Sequence, residues 1–333
     1  MRVAALVPFV AVLALAAAPE RAPSDAPLQV AMREYLDAER KITSELGAAL
    51  ATHIHGRLAN DVVYTTSAAP PGYDPDDWRE TVSSIVTLDT EAIRQLAAGT
   101  RAPLDAAPGL HERFVISTHV GTWQPVAVYT PPSLGAAARA PLVVVLHGSS
   151  QTESELLGPP FLRRLADKTG SIVVAPYGRG AFNFAEPAAS EVYDLVAQAQ
   201  RALPVDARRT YLVGYSMGGF ALFHIGPRGG YRWKGAMCIA GAMTNNVSRS
   251  VLQAWQDLPL YIVNGAYDEN VPPRDGAHTA AWLAARGVPV SFYQQSDGAH
   301  ALRTLMPALE RAWIDMHDGI VHPESVPPER TTT

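Results

Sequence analysis

The chain has 333 residues, 47% of them apolar, a net charge of −5 at pH 7 and a single cysteine, Cys238. That composition supports a sizeable core in one large or two small domains. With no basic block, nucleic acid is not an expected partner, and one thiol excludes an internal disulfide or a cysteine-built metal cluster.

Arg2 precedes an apolar run from Val3 to Ala18 that ends in small residues. This is the pattern of an export signal, so residues 1–18 are read as a signal peptide and the protein as secreted or periplasmic. No later stretch is long and apolar enough to span a bilayer, so stable membrane insertion is not expected after signal removal. Residues 19–27, rich in Pro and Ala, read as a linker.

Residues 28–111 read as an N-terminal helical extension. Ile42, Leu46, Leu50, Ile54 and Leu58 recur every fourth residue and lay one apolar stripe on a helix. His53 and His55, two residues apart, point in different directions, so they are not expected to share a metal. Pro70-Pro71-Gly72-Tyr73-Asp74-Pro75 breaks the chain. A second helix runs from about Asp77 towards Ala98, with Gly99 as its stop. This part carries no recognisable chemistry and is expected to pack on the main domain or form a partial lid.

Residues 112–320 read as the catalytic domain and 321–333 as a flexible tail. Arg113 to Thr118 and Gln124 to Thr130 alternate as two strands of a hairpin. Largely apolar runs follow: Pro141 to Leu146, Ser171 to Ala175, Thr210 to Gly214, Ala236 to Ala240, Leu260 to Val263 and Val290 to Tyr293. Strands without a polar face are buried on both sides, and helix-compatible stretches separate them. The expectation is an α/β fold, a doubly wound and mostly parallel sheet with helices on both faces.

In such a sheet functional groups gather beyond the carboxyl ends of the strands. The run Tyr211-Leu212-Val213 leads into Gly214-Tyr215-Ser216-Met217-Gly218, followed by an apolar helical segment. A strand that turns sharply into a helix lifts one serine out at the tip, making Ser216 the candidate nucleophile. After Leu146 comes His147-Gly148-Ser149-Ser150-Gln151. The Ser149 and Met217 N–H groups are the candidate oxyanion hole, with Ser150, Gln151 and Tyr215 expected to contact substrate. His147 is expected to brace its loop rather than transfer protons. After Ala175, the glycine-rich loop Pro176-Tyr177-Gly178-Arg179-Gly180 offers Tyr177 and Arg179 as borders of the substrate cleft, with Tyr177 as a further substrate contact. Asp268 follows a strand and a glycine turn, where a hydrolase acid belongs, and Glu269 is the runner-up. His300, in Gly298-Ala299-His300 before the last helix, is the candidate base. The chain order Ser216, Asp268, His300 is that of an α/β-hydrolase triad.

From roughly Glu112 onward the sequence resembles secreted α/β-hydrolases of the esterase and prolyl-oligopeptidase-like group. The segment Gly121 to Pro131, the His147-Gly148-Ser149 turn and the Gly214 to Gly219 elbow carry the likeness, and feruloyl esterases and polyhydroxyalkanoate depolymerases share a similar His-Gly-x-x-Gln turn. The resemblance implies hydrolysis of a small-molecule or polymer ester, or an amide, through an acyl-enzyme, with no metal or organic cofactor. It does not cover the first hundred or so residues, and the chain lacks room for the propeller of true oligopeptidases.

Overall fold

The computed structural model describes residues 26–329, apart from 47, 136–138, 150, 229–230 and 245–248. The signal-peptide and most of the linker expectations lie outside the described residues, as do Ser150 and the last four residues of the chain.

Eight strands form one sheet: β1 (Gly109–Ile116), β2 (Trp123–Thr130), β3 (Ala140–Leu146), β4 (Ile172–Pro176), β5 (Val205–Tyr215), β6 (Gly235–Ile239), β7 (Leu260–Gly265) and β8 (Val290–Gln295), in the order β1-β2-β4-β3-β5-β6-β7-β8. The β1–β2 hairpin is antiparallel and β2 meets β4 antiparallel; every pair from β4 through β3 to β8 is parallel. Continuous apolar sequence becomes double-sided burial, as in β3, β4, β6 and β7, where every residue is buried. Alternate residues of these strands feed two cores, Leu142, Val144 and Leu146 on one face and Val143 and Val145 on the other.

Helices cover both faces. In chain order they are α1 (Ala26–Leu46), α2 (Ala48–Thr66), α3 (Pro75–Ala97), α4 (Glu153–Leu157), α5 (Pro160–Thr169), α6 (Ala188–Ala202), α7 (Met217–Ile225), α8 (Arg249–Trp255), α9 (Pro273–Ala284) and α10 (Met306–Asp318). Asp74 caps α3 by accepting from the Asp76 and Asp77 N–H groups, which fixes its start just after the Pro-Pro-Gly break.

The expected apolar stripe forms: Ile42, Leu50, Ile54 and Leu58 are buried with Ile93, Leu96 and Phe114 in a third core that joins α1–α3 to β1. The extension also carries charge inside. Arg57 is 2% exposed, and its guanidinium meets Asp89 of α3, Glu112 of β1 and Glu153 of α4. Asp61 is fully buried, and burial together with the neighbouring Asp89 raises its pKa to about 10, so it keeps its proton at neutral pH.

Both sheet edges are covered. On β1 the outward N–H of Glu112 donates to the Glu91 carboxylate, that of Phe114 to the Ala102 carbonyl and that of Ile116 to the Gln198 side chain. At the other edge, Phe292 N–H donates to Ser325 Oγ at 2.8 Å and His322 N–H to Ser291 Oγ at 2.7 Å. In the stretch expected as a loose tail, His322 and Ser325 are thus tied to β8. Sequence hydropathy cannot signal this anchoring, because two serine side chains and two backbone N–H groups make it.

Candidate active site

The turn between β5 and α7 is built for close approach. Ser216 has φ +52° and ψ −114°, a conformation that costs a non-glycine residue about 1–3 kcal/mol. A Cβ at Gly214 would lie 2.1 Å from the Gly218 carbonyl oxygen, and one at Gly218 would lie 2.3 Å from that of Leu146. Only glycine fits at either position. The strained residue is pinned from both sides: Ser216 N–H donates to the Ile239 carbonyl at 2.9 Å and Gly218 N–H to that of His147 at 3.1 Å.

Beyond β7, Asp268 is 3% exposed. Its Oδ1 accepts the N–H groups of Asn270 (3.0 Å) and Val271 (2.8 Å), which fixes the carboxylate plane. His300 Nδ1 lies 2.8 Å from Asp268 Oδ2, and its Nε2 lies 3.0 Å from Ser216 Oγ. An ionised carboxylate only accepts, so Nδ1 carries the proton and Nε2 is left free to take one from the serine. The loops holding acid and base are stitched together: Tyr267 N–H donates to the Gly298 carbonyl at 2.8 Å, and a Cβ at Gly265 would lie 2.4 Å from that same oxygen. Glu269, the alternative acid, faces solvent.

A cleft of about 750 Å³ opens over Ser216 and His300, lined also by Gly148, Ser149, Gln151, Tyr215 and Met217. Met217 opens α7, so its N–H has no partner within the helix, and the residue lines the cleft. Gln151 closes the loop after β3, its side-chain oxygen accepting Gly148 N–H at 3.2 Å. Tyr215 lines the cleft but is 7% exposed, and its hydroxyl donates to the His300 carbonyl at 3.1 Å. Its main contact therefore steadies the histidine loop.

Tyr177 is a correction. It does not line the cleft; it is 6% exposed, its ring packs 4.2 Å from that of His53, and its carbonyl lies 3.1 Å from His147 Nε2. The chain turns away after β4, and Gly178 is packed against Phe184 and His147, which directs Tyr177 towards α2. His147 is fully buried and spans two carbonyls, bracing two loops as expected. Sequence reasoning missed Asn183, Phe220, Thr244, Asn270 and Val271 in the cleft wall. Asn183 has φ +53°, but no local sequence pattern marked it.

This strand order with a serine elbow, an acid after β7 and a histidine after β8 defines the α/β-hydrolase fold. Among solved structures, the chain is similar to FphF, a fluorophosphonate-binding serine hydrolase of Staphylococcus aureus, with 18% identity, a TM-score of 0.54 and coverage of 63% of this chain and 99% of that one. It is similar to the S-formylglutathione hydrolase FrmB of Staphylococcus aureus (17% identity, TM-score 0.52, coverage 65% and 99%) and to a ferulic acid esterase (14% identity, TM-score 0.52, coverage 63% and 97%). In sequence, 108 residues are 30% identical to the bifunctional acetylxylan esterase/xylanase XynS20E of Neocallimastix patriciarum; this is 31% of the chain and only 16% of that protein. No family model matches. Among the described residues, no helix is long and apolar enough to cross a membrane.

Proposed function

We propose that the protein is a serine hydrolase that cleaves carboxylic esters through an acyl-enzyme, with Ser216 as nucleophile, His300 as general base and acid, and Asp268 orienting the imidazole. The observation that carries this reading is the unbroken relay from Ser216 Oγ through both ring nitrogens of His300 to Asp268. His300 Nε2 accepts the serine proton as Oγ bonds to the ester carbonyl carbon. The carbonyl oxygen becomes an oxyanion facing the Ser149 and Met217 N–H groups. The C–O bond to the alcohol then breaks, and His300 returns the proton to the departing oxygen. Water, deprotonated by the same nitrogen, attacks the acyl carbon and frees Ser216. The Asp268 carboxylate stabilises the imidazolium formed in each half.

An ester is favoured over a peptide because the chain is similar to an S-formylglutathione hydrolase and a ferulic acid esterase, and acetylxylan esterase chemistry is named for the sequence relative. A second cavity of about 680 Å³ shares Phe220 and Thr244 with the catalytic cleft, leaving space for a bulky ester arm. The leader-like residues 1–18 support export, with the mature enzyme secreted or periplasmic.

The deciding experiment compares wild type with Ser216→Ala on p-nitrophenyl acetate and on a fluorophosphonate probe. Wild type is expected to turn over the ester and to be labelled at Ser216, whereas the variant does neither. Equal hydrolysis by both proteins, or absence of labelling, would exclude this mechanism. Aminoacyl-p-nitroanilide turnover faster than ester turnover would shift the assignment to a peptidase.

A further inference from the structure

His53, Arg57, Asn60 and Tyr64 are spaced by four, three and four residues, so they share one face of α2. This face is polar; Arg57 is buried, His53 and Tyr64 are half-buried and Asn60 is exposed. Its four side chains meet two glutamates of α4, the short helix that begins directly after the loop bearing Ser149. His53 Nε2 lies 3.0 Å from Glu153 Oε1, and Arg57 Nη1 donates to that oxygen at 2.7 Å. Asn60 Nδ2 donates to Glu155 Oε1 at 3.1 Å and the Tyr64 hydroxyl at 2.9 Å.

Glu155 does more than receive these donors. Its other oxygen, Oε2, accepts the Thr152 N–H at 2.8 Å, while Thr152 Oγ1 accepts the Glu155 N–H at 3.2 Å, a reciprocal capping box. Thr152 is the far end of the loop that begins at His147, and Gln151 N–H donates back to the Gly148 carbonyl at 3.2 Å. Hydrogen bonds therefore run from α2 through Glu155 to the Thr152 N–H, and the Gln151 N–H, one residue earlier in the chain, bonds back to Gly148 beside Ser149. A second connection passes from His53 to the Tyr177 ring, whose carbonyl meets His147, the first residue of the same loop.

We propose that this face of α2 is a positioning surface for the oxyanion loop, so that the N-terminal helices are part of the working enzyme and not an appendage. The inference rests on the esterase reading above. Glu155 touches no substrate; it acts by setting where the Ser149 N–H points. An oxyanion donor displaced by a fraction of an ångström still allows substrate to bind but loses its hold on the transition state. The expected signature is a fall in kcat with KM little changed.

The test uses the full chain and three variants. Asn60→Ala combined with Tyr64→Phe removes both α2 donors at the accessible end of the face. Glu155→Ala removes the connection, and Glu155→Gln keeps a side-chain carbonyl that can accept from Thr152. Amide hydrogen exchange over residues 147–152 reads the loop directly, and kcat and KM on p-nitrophenyl acetate read the consequence. The double variant and Glu155→Ala should exchange faster in this loop and lose roughly tenfold in kcat, the scale expected for a slight misplacement. Glu155→Gln should recover most of both. Unchanged loop exchange in the double variant overturns the proposal, as does faster exchange with wild-type kcat. Should Glu155→Ala fail to fold, the double variant decides alone. Should wild type lack Ser216-dependent turnover, the esterase reading falls, and the exchange measurement by itself decides whether α2 holds the loop.

Discussion

Ser216 is held at φ +52° by its neighbours rather than by its own preference. Two substitutions separate strain from bonding. Ser216→Ala loses the contact with His300 but keeps a Cβ in the disfavoured region. Ser216→Gly loses the same contact and also relieves the strain, at some cost in unfolded-chain entropy. The glycine variant is expected to melt above the alanine variant by roughly 1 kcal/mol equivalent, although both are inactive. Equal melting temperatures would mean that the elbow stores no strain. Asp268→Asn should leave the fold intact yet lower kcat by a factor on the order of 10⁴, because the amide can present an N–H to Nδ1 and favour the wrong tautomer. Steady-state kinetics with a thermal melt as control checks this. These residues were legible because each follows a strand end and sits beside glycines. Tyr177 follows a strand end as well, and nothing local told that its chain would turn towards α2 rather than towards the cleft.

At the scale of elements, α2 shows what a periodic reading finds and what it leaves out. The apolar stripe was visible as spacing. The polar face was not, because its partners lie 32 to 100 residues away and become neighbours only in the fold. The Arg57 cluster sets one guanidinium among three buried carboxylates. Arg57→Met leaves Asp89, Glu112 and Glu153 buried without their cation and should destabilise the protein by about 3–5 kcal/mol, measured by urea titration. Asp61 gives the opposite sign. Its folded pKa of about 10 lies far above the ordinary aspartate value of about 3.9. The folded state therefore holds a proton that the unfolded state has released, and stability falls as pH rises between those values. Asp61→Asn removes this dependence, so its melting-temperature advantage over wild type should widen from pH 6 to pH 9. A constant difference would show that Asp61 does not bear its proton in the native protein.

Across the whole molecule, acid stability depends partly on His317, far from the cleft. Its Nδ1 lies 2.8 Å from the Trp313 carbonyl and its Nε2 2.9 Å from Ser171 Oγ, with the ring stacked on Trp313. Burial lowers its pKa to about 4. A neutral imidazole suits this site, donating at Nδ1 and accepting at Nε2. The associated stability is complete above about 6.5 and is lost as pH falls towards 4, to a limit of about 3 kcal/mol. His317→Gln should therefore lose less stability than wild type between pH 7 and pH 4, as followed by thermal melts. The sheet itself was readable strand by strand, because double-sided burial leaves an unbroken apolar signature. Strand order and edge treatment were not, since they depend on which loops cross and which side chains reach back.

The two margins of the sheet have a practical consequence. A strand whose outward amides are already engaged offers no template on which a second copy can add. Glu91, Gln198 and Ser325 therefore act as stoppers against end-to-end stacking of molecules. Shortening the protein to residue 320 would uncover the β8 margin while sparing the cleft. The expected defect of such a protein is turbidity on concentration, seen by light scattering, before any loss of catalytic rate in dilute solution.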